Sequence, residues 1–167
     1  MKIKGLVLFA MVAAPLTALA GSPDASFYKK AAEGGMFEVD AGTLAQDKGS
    51  SQGVKDFASM MVKDHSAAND KLKGIASSKG VELPGHSSVG QMATKAKLDV
   101  LSGETFDKSY IKSQVKAHRE TIGLFRKEAA SGQDPDAQAF AKATLPTLRG
   151  HMKAIKALAA DAGISTK

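Results

Sequence analysis

With 167 residues, 43% of them hydrophobic, the chain is long enough for one domain with a substantial core and short for two. It contains no cysteine, which excludes disulfides, thiolate metal ligands and a cysteine-linked lipid anchor, so the fold must be held by its core. The net charge of +6 arises from 23 basic and 17 acidic residues scattered along the chain. With no lysine run and no aromatics interleaved among the basic residues, nucleic acid is not an expected partner.

The chain opens with Lys2 and Lys4, an uncharged run from Gly5 to Ala14, and the small residues Ala18 and Ala20. This pattern predicts a secretory signal peptide over 1–20, cut before Gly21. Its removal lowers the net charge by two, to +4. The apolar run is too short to span a bilayer and is interrupted by Pro15 and Thr17, so no transmembrane segment is expected in the mature chain. Residues 21–167 are then one helical domain with its core over about 24–163, and the expected location is the periplasm.

Alanine-rich composition and 3.6-residue periodicity predict an all-α protein. Helix one starts after "GSPD", with Ser22 as cap and Pro23 in the first turn, and runs to about Asp47. The "KGSSQG" turn leads to helix two, which ends near Lys79 before "ELPGHSS". A short helix over about Val89–Leu101 leads the chain to helix three, about Glu104–Ser131. Asp134 and Pro135 in "SGQDPD" then start helix four, which ends near Gly163. Two long hairpins with a longer link predict an up-down four-helix bundle with one additional short helix. Pro146 should kink helix four, and the Gly34–Gly35 pair suggests close approach of a neighbouring helix.

The core stripe of each long helix carries one ionisable residue: Glu38, His65, His118 and His151. Counted from the turns, Glu38 and His65 are offset by less than about one helical turn, and so are His118 and His151. All four are placed at mid-bundle. Two readings follow. The four can hydrogen-bond to one another as a polar layer within the core, or a carboxylate and neutral imidazoles can hold one transition metal ion such as Zn, Cu, Fe or Mn. Asp64 and Glu120, adjacent to stripe histidines, suit solvated or supporting roles. Met61 and Met152 are core residues that could offer thioether sulfur to copper, His86 is a surface residue, and Gln114 and Thr144 can line the layer.

The segments "AAEGGMFEVDAGTLA", "VKDFASMMVKDH", "LSGETFDKSYIKSQVKAHRETIGLF" and "LPTLRGHMKAIKALA" resemble the bacterial exported family of unknown function labelled "predicted outer membrane protein". The resemblance runs from about Phe27 to Ala160 and implies a ferritin-like bundle, export, outer-membrane association by its label, and recurrent polar positions at Glu38, His65, His118 and His151. The di-iron pattern of the wider fold, with a carboxylate three residues before a histidine, is absent. Val62 and Leu148 stand at those positions before His65 and His151. The expectation is an exported bundle without assigned activity whose Glu/His cluster can either hold a transition metal or form a polar layer, serving envelope stress or metal handling. The alternatives are a small metal-dependent oxidase or hydrolase, and a metal-free structural or partner-binding envelope protein. No particular protein partner is implied.

Overall fold

A computed structural model describes residues 23–166; the expected signal peptide and the Ser22 cap lie outside the described residues. Five helices and no strand occur among the described residues: α1 (Ala25–Lys48), α2 (Gln52–Ser78), α3 (Val89–Asp99), α4 (Gly103–Ser131) and α5 (Pro135–Asp161). The starts follow local chemistry. Ser51 Oγ accepts from Val54 N at the start of α2, Ser88 and Gln91 form a reciprocal capping box on α3, and Asp134 caps α5 ahead of Pro135. Asp24 occupies the cap position of α1 but makes no cap bond; its carboxylate accepts instead from Gln133 N and Asp134 N, 2.7 and 2.6 Å away, tying α1 to the α4–α5 turn.

Helix α1 pairs with α2 and α4 with α5, and the two hairpins meet along α1–α4 and α2–α5. Direction follows from the ends. Asp107 at the start of α4 bonds Ser50 and Ser51 in the α1–α2 turn, whereas Lys79 at the end of α2 reaches Asp134 and Asp136 at the α4–α5 turn. The link through α3 therefore carries the chain back along the bundle, so that α4 runs in the same direction as α2. This is the up-down-down-up order of ferritin-like bundles. Helix α3 buries only Leu98 and lies against α1 and α4. Helix α5 continues through Pro146, which is on its exposed side.

The core has two apolar clusters. One, toward the α1–α2 turn, includes Phe37, Phe57, Met61, Phe106, Tyr110 and Ile155. The other, toward the α4–α5 turn, includes Phe27, Leu72, Phe125, Phe140 and Leu148. Between them, at matching heights on all four long helices, lie Glu38, His65, His118 and His151.

Candidate metal centre

The three histidines come from α2, α4 and α5 and converge. Their ring centroids are 5.4 to 5.8 Å apart, and one nitrogen of each ring lies within 4.8 Å of one nitrogen of both others. All three are buried, between 1 and 7% exposed, so no bulk water solvates them. The register responsible is simple. Each histidine occupies the core stripe of its helix, and short hairpin turns fix the heights of the helices they join.

Hydrogen bonding decides which nitrogens of His118 and His151 keep a lone pair. His118 Nδ1 donates to the Gln114 backbone carbonyl, one turn earlier, at 3.0 Å. A carbonyl can only accept, so Nδ1 carries the hydrogen and Nε2 keeps a free lone pair. His151 Nε2 likewise donates to Asp64 Oδ2 across the bundle at 3.0 Å, leaving Nδ1 as the lone-pair nitrogen. His118 Nε2, His151 Nδ1 and His65 Nε2 are all buried without a hydrogen-bond partner. A polar layer whose members satisfied each other would not leave three such nitrogens, because each orphan forgoes the water it had when unfolded. Outer hydrogen bonds that fix the tautomer and orientation of each ring are the usual support of metal-binding histidines.

Glu38 stands outside this three-way approach. Its Oε1 lies 3.7 Å from His118 Nδ1, the nitrogen already committed to Gln114, and its Oε2 has no partner. The Gln114 side chain lies near enough to favour the charged carboxylate but makes no hydrogen bond of ordinary geometry. Burial dominates and pushes the Glu38 carboxyl up to about 8. Burial, with the neighbouring imidazoles, drives His65 down to about 3, and burial with His151 drives His118 down to about 4. Glu38 and His118 therefore face each other as neutral groups rather than as an ion pair, and both rings keep their lone pairs at neutral pH.

The remaining expected residues are distributed as follows. Asp64 supports His151, while Glu120 is exposed and pairs with Lys116 at 3.3 Å. Met61 is buried in the core, Met152 packs against the same cluster, and His86 is exposed. Thr144 donates to the Phe140 carbonyl and, with His65 and Thr121, lines an internal cavity of about 20 Å³. Gly35 meets the expected close approach: a Cβ there would lie 1.9 Å from Asn69 Oδ1 on α2, whereas one at Gly34 would meet nothing nearer than 3.9 Å. Tyr110, whose hydroxyl is buried without a partner, and the carbonyl of Gln114 were not singled out by spacing. Tyr110 lies one residue from the Ile111 stripe position, and a backbone carbonyl leaves no mark in sequence.

No helix among the described residues is long and apolar enough to cross a membrane. No curated protein matches the chain. A solved structure titled "CopM in the Cu(I)-bound form" has a similar fold, with a TM-score of 0.69 and 13% identity, covering 83% of this chain and 96% of that one. The family model described as "Domain of unknown function (DUF4142)" matches residues 10–158, and the protein belongs to that family.

Proposed function

We propose that this protein is an exported metal-handling bundle that binds one transition metal ion on His65, His118 and His151, with Cu(I) the favoured ion. The observation that carries this reading is a trio of buried imidazoles that brings one nitrogen of each ring within 4.8 Å of the others and leaves one nitrogen of each ring unpartnered. Nitrogens around an ion bonded at about 2.0–2.1 Å stand about 3.5 Å apart, so the rings need close by only about 1 Å. Glu38 lies beside His118, 3.7 Å from its Nδ1, and is not counted as a fourth ligand.

The charge balance favours a monovalent ion. Three neutral imidazoles in an interior without bulk water leave the whole ionic charge to be compensated by the surroundings, and that cost grows steeply with charge. Imidazole suits copper, and Cu(I) accepts three donors, whereas zinc prefers four. CopM, which shares the fold, is known in a Cu(I)-bound form, and this directs the first titration to copper. The cavity beside His65, about 20 Å³, has room for one water-sized molecule and is too small for an organic substrate, which favours binding and transfer of an ion over turnover. The signal-like segment before Gly21 supports an envelope location.

Metal analysis of protein purified without a metal column, followed by titration with Cu(I), Zn(II), Fe(II) and Mn(II) under chelator competition, tests the reading. One Cu(I) per chain is expected, with affinity reduced about a thousandfold or more, about 4 kcal/mol, in His118→Leu. Protein that takes up none of the four ions overturns it.

A further inference from the structure

We propose that the cavity between α1, α3 and α4, above Glu38, is the port through which the ion reaches the histidine layer; this inference rests on the metal-binding reading. The histidines are shut in from most directions. Apolar clusters close the bundle on both sides along its axis, and each ring is at most 7% exposed. An ion needs a polar route between helices.

On the side of α1 and α4 such a route reaches the layer, while Asn69 borders the inner space from the α2 side. A solvent-open cavity of about 420 Å³ is lined by Glu33, Gly34 and Glu38 of α1, Gln91 of α3, and Glu120 and Thr121 of α4. Glu38, 2% exposed, is its inner wall, with Oε2 unpartnered and Oε1 3.7 Å from the ring of His118. Thr121 lines both this cavity and the 20 Å³ cavity that touches His65, so it bridges the outer and inner spaces. Side-chain oxygens thus continue from the rim to the layer, as a cation needs when it sheds water stepwise. Lys30 also lines the rim, and Glu33 and Glu120 pair there with Lys29 and Lys116 at 4.0 and 3.3 Å, so the rim is polar but not strongly anionic. Passage then depends on open space and on Glu38 rather than on a field that gathers cations.

The glycine pair supplies a second argument. Gly35 is required by Asn69, but Gly34 has room for a methyl group, 3.9 Å from Gln91 Nε2 and Thr121 Oγ1. A glycine at such a site forgoes about 1 kcal/mol of helix propensity relative to alanine. What it leaves open is the space any longer side chain would fill, which is the port itself.

Stopped-flow Cu(I) transfer from a weak chelator to the full chain, read by chelator absorbance, tests the port. Gly34→Met and, independently, Thr121→Met fill it from opposite helices. Gly74→Met, at an exposed helical glycine with nothing within 4 Å, is the control. Uptake at least about tenfold slower in either folded plugged variant, with the final stoichiometry unchanged and the control at the wild-type rate, is expected. Folded plugged variants that load as fast as the control, while wild-type protein loads normally, overturn the port alone. Wild-type protein that takes up no Cu(I) overturns the metal reading and the port with it.

Discussion

Two buried carboxyl groups show how differently this bundle treats its α1–α2 turn and its middle. Asp107, 6% exposed at the start of α4, accepts from Ser50 N, Ser50 Oγ and Ser51 N at 3.0, 2.7 and 2.8 Å. Burial pushes its carboxyl up, but the serine donors outweigh burial and hold it below its ordinary range. Glu38, 2% exposed, has only the Gln114 side chain nearby, and burial outweighs it in raising the carboxyl to about 8. Where a buried polar group serves architecture, the chain supplies its partners. At mid-bundle the chain leaves polar atoms unmatched on several helices at one height, and the proposed metal site rests on that contrast.

Replacing the two carboxyl groups breaks the comparison most sharply. Asp107→Ala strands three donors at the α1–α2 turn, and a loss of about 3 kcal/mol, roughly 10 °C in Tm, is expected. Glu38→Gln should act in the opposite direction. The folded value of Glu38, about 8, lies above the unfolded 4.5, so its contribution is complete below pH 4.5 and is lost as pH rises to about 8. The glutamine variant lacks that loss, and its stability relative to wild type should grow between pH 5 and pH 8 in denaturant titrations. A loss of stability at pH 8 from both substitutions would show that Glu38 is as fully supported as Asp107.

Asp64→Asn gives the next largest effect and probes the support of the layer. The Asp64 side chain is 32% exposed, so its replacement should change the melting temperature little. Its bond to His151 orients the ring, and removal of such support costs about 10–100-fold in metal affinity. Chelator competition reads the change, and unchanged affinity would mean that the His151 orientation is fixed by packing alone.

The bundle itself was legible because the apolar period, the caps and the turn residues agree. The "KGSSQG" and "SGQDPD" turns mark both hairpins, and the stripes place His65, His118 and His151 at one height. Counting along helices resolves height to about one turn but gives no rotation about the bundle axis. It therefore put Glu38 level with the histidines without showing that it approaches His118 alone and stays outside the three-histidine group. The direction of α4 was hidden for a related reason: the length of the α2–α4 link permits either direction, and the Asp107 contact with Ser50 and Ser51 that fixes it joins residues more than fifty apart in sequence. The partners that choose the tautomers, the Gln114 carbonyl and the cross-bundle Asp64, depend on side-chain direction and leave no periodic signal.

The smallest expected change at neutral pH is also the one that separates the two readings of the layer. Leucine nearly matches the volume of histidine, and His65→Leu removes an unpartnered Nε2 without stranding another group. Stability of the metal-free protein at pH 7.5 should therefore hold or rise by up to about 1 kcal/mol while metal binding is lost. Acid sharpens the contrast. Folding holds His65 at about 3, below its unfolded 6.5, because burial, His118 and His151 disfavour the cation; the wild-type contribution is thus complete above pH 6.5 and is lost as pH falls toward 3. The variant has no proton to exclude at this position, so its advantage should widen from pH 7.5 to pH 5 in denaturant titrations. A variant less stable than wild type by about 2 kcal/mol or more at both pH values would instead make His65 a satisfied member of a structural polar layer.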